Sequence, residues 1–418
     1  MKRMMTAFAL AALPAAPALA GPAEVVTTYS DIAEAAYGDS LTKAQALNAA
    51  IDTLISAPSD VSLAAAKAAW IESRVPYQQT EAFRFGNPIV DDWEGKVNAW
   101  PLDEGLIDYV DAAYGGATDE NEFAALNVIA TPKFTLSGTE IDATHITPEL
   151  ISDALHEADE IESNVASGYH AIEFLLWGQD LNGTNHGAGN RPFTDYAAGD
   201  DCTNGNCDRR AEYLSAASDL LVSDLAYMVA QWGADGEARA AVTTDPKAGI
   251  TAILTGMGSL SYGEQAGERM KLGLMLNDPE EEHDCFSDNT YNSHFYDGLG
   301  IRNVYVGEYA SASGKIVSGE SLQDLLNAAD PAVEAELTSA INATMAELGQ
   351  IKSAAEAGFS YDQMLERGNA AGEALILSAV DALVAQTRSI ERAVAVLDLD
   401  GVGIEGSDSL DNPTAVFE

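Results

Sequence analysis

Two side chains able to hold a metal, His170 and Glu173, stand three residues apart in the most apolar stretch after the first twenty residues, GYHAIEFLLWGQD at 168–180. On a helix that step turns both toward one side, within roughly 60° of each other. Phe174 and Trp177 flank them, so this end of the helix is apolar all round and is expected to be buried. A buried carboxylate must find a partner or keep its proton. An imidazole one turn from a carboxylate is also the donor pair of ferritin-like iron bundles, in reversed order. A hydrogen-bonded core pair explains the same spacing, and a lone His-x-x-Glu does not separate the two readings. Gly168, two residues before the histidine, lets another backbone or a ligand come close.

Two further stretches carry chemistry-bearing residues. In AWIESRVPYQQTEAFRFG, 69–86, Trp70, Arg74, Tyr77, Glu81 and Arg84 recur at three- and four-residue steps. This is either a solvated face of i,i+4 pairs or a buried polar face lining a cleft. In the second case Glu81 is the candidate third metal ligand, and Arg74 or Arg84 holds a carboxylate or an anion. Later, LTGMGSLSYGEQAGERM, 254–270, places Glu264 and Glu268 four apart among small residues, on a helix that must pack closely against something. EEEHDCFSD follows, and its Glu282, His283 and Asp288 could complete a site or simply cap a helix and a turn. HEADE at 156–160 lacks the second histidine of a zincin helix, and the glycine of DLDGVGIEGSD is misplaced for a calcium loop.

Helices must position these groups. Ala-rich helical periodicity covers roughly 41–57, 60–79, 148–178, 208–232, 246–277, 331–357 and 367–397. Across 148–178, Leu150, Ala154, Ala158, Ile161, Val165, Ile172 and Leu176 form one stripe, with His170 and Glu173 off it. Thr147-Pro148, Asp245-Pro246 and Asp330-Pro331 each read as an N-cap followed by proline in the first turn. Strand-like alternation is confined to a hairpin candidate at 133–141. Irregular stretches are expected at about 84–118, 178–207 and 279–318. The class is therefore all-α, built from helical bundles.

The first twenty residues look like an export signal: Lys2 and Arg3, an apolar run, then Ala18-Leu19-Ala20 before Gly21. The run is too short for a membrane span, no cysteine near the cut allows a lipid anchor, and no later segment is expected to span a membrane. A soluble, periplasmic protein follows. The remaining length suggests two domains, with the 178–207 loop as a boundary. The chain holds 66 acidic and 21 basic residues, a formal charge of -45, which repels nucleic acid and attracts cations. Cys202 and Cys207 flank a turn-like Thr-Asn-Gly-Asn that could bring them into a disulfide; either could instead pair with Cys285.

GYHAIEFLLWGQD matches the Gly-x-His-x-x-Glu motif of imelysin-like proteins. WIESRVPYQQTEAFRFG, VNAWPLDEGLIDYV, GNRPFTDY, GERM and EEEHDCFSDNT resemble the subgroup called iron-regulated protein A, over roughly 25–398. The resemblance implies two helical-bundle domains, at 24–200 and 208–398 with a tail at 399–418, from an exported protein tied to iron uptake. It also implies a site around His170 and Glu173 at the domain interface. The expected ligand is iron or another divalent metal, or an iron chelate, on His170, Glu173 and Glu81. Gly168, Arg74, Tyr77 and Glu268 would surround them, and proteins of a membrane uptake system would be partners. The family is classed with metallopeptidases, so a zinc-type peptidase is the alternative. Hydrolytic zinc needs three protein ligands, an open position and a base, and the motif helix alone offers one histidine and one glutamate. A third reading is a partner-binding module whose His/Glu pair is purely structural.

Overall fold

The computed structural model describes residues 21–118, 121–136 and 138–417. The export signal expected at 1–20 lies outside them. The chain folds as packed helices, as its periodicity predicts. The longest, Pro22–Ser56 and Ala370–Val396, frame the molecule. Pro22–Ser56 packs on Asp60–Gln78 and on Cys207–Trp232, and Ala370–Val396 packs on Pro331–Glu356. The three predicted caps form: Thr147 accepts from Leu150 N, Asp245 from Lys247 N and Ala248 N, and Asp330 from Ala332 N and Val333 N. Each satisfies amides that have no partner inside their helix. The predicted hairpin pairs Lys133–Leu136 with Thr139–Asp142. A second small hairpin, Glu308–Ala310 with Ile316–Ser318, was not expected.

The helix expected over 148–178 is broken. After Pro148–Leu150 and a π turn at Ile151–Leu155, the chain enters left-handed conformations at Glu157, Asp159 and Glu160. The Asn164 side chain donates to Ala158 O, and Glu157 N to Asn164 O, closing a compact turn. Polar side chains that bond the local backbone have outcompeted the helix here. The helix then restarts as Gly168–Trp177, with all ten residues buried. The third region expected to be irregular contains the 17-residue helix Thr290–Val306.

The helix over 246–277 also changes pitch. Pro246–Ser259 runs into a π-helix at Leu260–Lys271, then Leu272–Leu276. Its small residues serve close packing. A Cβ on Gly256 would stand 2.5 Å from Ala82 O, and one on Gly267 would meet the Ser407 side chain of the C-terminal tail.

One large apolar core draws on residues from 25 to 393, and a smaller one lies within 266–383. In the large core Tyr29, Phe83 and Trp232 stack with ring centroids 4.8–5.7 Å apart, so it joins residues from both sides of 200–208. The helix Ala370–Val396 is long and apolar enough to cross a membrane, which corrects the expectation that no such segment follows the signal. It packs in the bundle, with Ile376, Leu383 and Ile390 fully buried. Cys202 and Cys207 are joined as a disulfide, and Cys285 is free and buried.

Gly168 opens the motif helix at φ +77°, and a Cβ there would lie 2.4 Å from Val97 O. Gly168→Ala is therefore expected to lower unfolding stability by about 2 kcal/mol or more, through backbone strain and overpacking. A urea midpoint equal to that of the unsubstituted protein would remove this account of the motif glycine.

Candidate functional site

The motif helix is fixed from several directions before it presents any chemistry. Trp70 Nε1 donates to Tyr169 O at 2.9 Å, Tyr213 OH to Ala166 O at 2.8 Å, and Ser167 Oγ to Lys96 O at 2.8 Å. Beneath the helix, the Arg74 guanidinium lies over the rings of Trp70, Tyr77 and Tyr169, at 4.9–5.6 Å from their centroids. It donates to Asn98 Oδ1 at 2.7 Å and to Asp284 Oδ1 at 2.8 Å. Asn98 in turn donates to Glu94 at 2.9 Å. The face from Trp70 to Glu81 is thus buried, not solvated.

Around His170 the segment 282–289 closes the site. His170 Nδ1 lies 3.2 Å from Glu173 Oε2. The other Glu173 oxygen accepts from Ser287 N at 2.9 Å and Ser287 Oγ at 2.6 Å. The His283 ring stands edge-on to His170 with centroids 4.8 Å apart, and Trp100 packs on the imidazole at 5.2 Å. Asp284 holds Arg74 through one oxygen and accepts from Asn289 at 2.8 Å and from Ser293 through the other. His170, His283 and Asp284 each offer a ligand atom within 4.8 Å of the others, and all three are buried. Nε2 of both histidines is buried and finds no hydrogen-bond partner among the described residues. Such orphaned donors are unusual in a packed interior. In the tautomer with its proton on Nδ1, His170 donates to an ionised Glu173 and keeps the Nε2 lone pair free; a protonated Glu173 donates to Nδ1 instead.

Burial sets the charges. It drives His170 down to about 3, and the neighbouring Arg74 acts the same way. Burial, then Arg269, holds His283 well below the usual histidine range. Both rings are therefore neutral and able to ligate. Burial, reinforced by Asp284, pushes Glu173 well above the usual carboxyl range. Burial pushes Asp284 up too, but Arg74, His170 and the hydrogen bonds from Ser293 and Asn289 together outweigh it and hold that carboxyl below its usual range.

The other expected site residues disperse. Glu81 is buried, but in a 3-10 turn beyond the end of the second helix, where it accepts from Arg269 at 2.7 Å. It is not among the clustered ligand atoms. Tyr77 is a wall of the Arg74 cage, and Gly168 sits against Val97. Glu268 stands exposed on a cleft of about 460 Å³ that reaches His283. Glu94, Glu157, Glu162, Glu264 and Glu281 also line that cleft, against Arg84 and Arg269, so it favours cations. Asp284 and Ser287 were not anticipated. Their only sequence signal is their place beside His283 in EEEHDCFSD, since their partners are more than a hundred positions away. Cys202 and Cys207 lie apart from this site, by the buried Arg210, which pairs with Asp108 at 2.6 Å.

The imelysin family model (peptidase M75) matches residues 33–390. Two solved structures resemble the chain. One is given as an iron-regulated protein A precursor from Parabacteroides distasonis ATCC 8503, 20% identical, with a TM-score of 0.64 over 90% of this chain and 95% of that one. The other is an imelysin-like protein from Psychrobacter arcticum 273-4, 16% identical, with a TM-score of 0.56 over 93% of this chain and 99% of that one. Among curated proteins there is no match.

A third buried histidine, His294, reports on the same interior. Both its ring nitrogens lack partners among the described residues, and burial, then Arg269, holds it down to about 3. The unfolded chain takes up that proton near pH 6.5. Stability present above about pH 6.5 is therefore lost as pH falls toward 3, at up to about 1.4 kcal/mol per pH unit for this one group. His294→Gln should flatten the dependence of unfolding free energy on pH between about 6 and 4 by that slope. Parallel curves for variant and unsubstituted protein would contradict it.

Proposed function

The chain belongs to the imelysin family, and on that premise we propose that it captures ferrous iron, or a related divalent metal, at His170, His283 and Asp284. The observation that carries this reading is the cluster of two buried histidines, each with an unpartnered Nε2, and the Asp284 carboxylate. Two imidazoles and one carboxylate form a donor set well suited to iron(II). In this reading Glu173 orients His170 rather than binding the metal. Its hydrogen bond at Nδ1 points the free Nε2 lone pair away from Glu173, and Ser287 fixes Glu173 in turn. The acidic cleft beside His283 would draw the cation inward, and Glu81 would neutralise Arg269 on the way. The structural resemblance to a protein described as an iron-regulated protein A precursor, and the expected export signal, support a role in iron acquisition at the periplasmic face.

The same donor set also suits zinc with an open position, which keeps a metallopeptidase as the second reading. Burial argues against it, because His170 and Asp284 are at most 1% exposed and an extended peptide needs an open groove. A chelator-sensitive cleavage of unfolded polypeptide by the purified protein would favour the peptidase.

Anaerobic titration of the purified protein with iron(II) is expected to give one tight site per chain. Replacing His170 and His283 together with alanine should abolish it. Glu173→Gln should weaken it by roughly 10- to 100-fold, the usual cost of losing the group that orients a ligating histidine. If the double histidine variant binds as much iron as the unsubstituted protein but melts earlier, the pair is structural and a partner-binding role replaces this one.

A further inference from the structure

A second cluster, made only of carboxylates, lies on the other side of the segment that closes the histidine site. Asp180 follows the motif helix, Asp288 sits in a left-handed turn next to Ser287, and Asp362 lies in the first turn of the short helix Tyr361–Leu365. One oxygen from each lies within 4.8 Å of the others. Glu282 presses its carboxyl against Asp362. Glu282 and Asp362 are each 1% exposed. Both oxygens of both residues, and Oδ1 of Asp288, are buried with no hydrogen-bond partner among the described residues.

This arrangement is costly as it stands. The side chains that face these carboxyls are chiefly one another. Glu282 and Asp362 are buried against one another, and Asp288 turns a buried oxygen to the same place. Buried carboxylates without cations nearby need protons or a metal. Nothing in the histidine site uses these groups, because Glu173 is held by Ser287 and Asp284 by Arg74.

We propose that Asp180, Glu282, Asp288 and Asp362 form a binding site for a calcium-class divalent cation. The ligands are oxygen only, with no nitrogen or sulfur, which selects hard cations over iron or zinc. Calcium holds oxygens at roughly 2.3–2.6 Å, so any two ligands of one ion stand no more than about 5 Å apart, a bound that these three oxygens satisfy. The four residues come from loops and helix starts and not from one rigid frame, which suits calcium's irregular coordination better than magnesium's strict octahedron. The ion would staple segments far apart in sequence. It would also fix the turn at 287–289, whose Ser287 holds the ligand-orienting Glu173. Gly189 N already donates to Phe286 O at 2.9 Å, so the loop that follows Asp180 and this turn are joined beside the site.

The test is calcium titration of the chelator-stripped, purified protein, in enough monovalent salt to screen its acidic surface. One saturable calcium site per chain is expected, with the melting temperature raised by several degrees. Asp362→Asn should lose both effects, whereas the protein with His170 and His283 replaced by alanine should keep them. Metal-free Asp362→Asn should melt no lower than the metal-free unsubstituted protein, because the substitution relieves repulsion. Should Asp362→Asn fail to fold, Asp288→Asn carries the same expectations. No saturable binding at about 1 mM free calcium, a concentration that fills weak extracellular sites, would overturn the proposal. So would equal binding by the folded asparagine variants.

Discussion

The site depends on one buried ion pair. Arg74 and Asp284 are 210 residues apart in sequence, meet at 2.8 Å, and are at most 1% exposed. Neither charge survives burial alone, and removing one partner of such a pair costs about 3–5 kcal/mol. The aromatic cage of Trp70, Tyr77 and Tyr169 holds the cation in place. Asn289 and Ser293 occupy the second oxygen of the anion. The pair therefore docks the segment 282–289 onto the motif helix in one register. That register sets His283 against His170 and Ser287 against Glu173.

The docked segment has two faces. His283 and Asp284 turn toward the motif helix, while Glu282 and Asp288 turn toward Asp180 and Asp362. Neutral imidazoles and one paired carboxylate make the first face a place for a borderline metal. Unpaired carboxylates make the second a place for a hard one. Adjacent residues thus serve different chemistries because each meets different neighbours and a different charge balance. The π-helix at Leu260–Lys271 contributes Arg269, whose charge falls between Glu81, Glu264 and Asp297. Its wider pitch is at home next to a functional cleft.

Local signals carried much of this arrangement. Spacing alone placed His170 beside Glu173, and put Arg74 and Tyr77 on one face of the second helix, which the fold buries. Dipeptide caps located three helix starts, and alternation located a hairpin. Glu81 shows where spacing stops working. Seven residues after Arg74, it would share that face on an unbroken helix, but the helix ends at Gln78 and a 3-10 turn redirects Glu81 to Arg269. The break after Leu155 was hidden for a related reason. Its left-handed residues are glutamates and an aspartate, ordinary helix residues that short-range bonds with Asn164 hold in a turn. Asp180 and Asp362 carry no local mark at all, and Asp284 and Ser287 only their place beside His283, since their roles arise from contacts across the fold.

The central claim is that two histidines, 113 residues apart in the sequence, share one metal. X-ray absorption at the iron edge of the iron(II)-loaded protein reads this directly. Two imidazoles among the nearest neighbours, falling to one in His283→Ala, is the predicted result. A first shell of oxygens alone, unchanged in that variant, would contradict it and place the iron elsewhere.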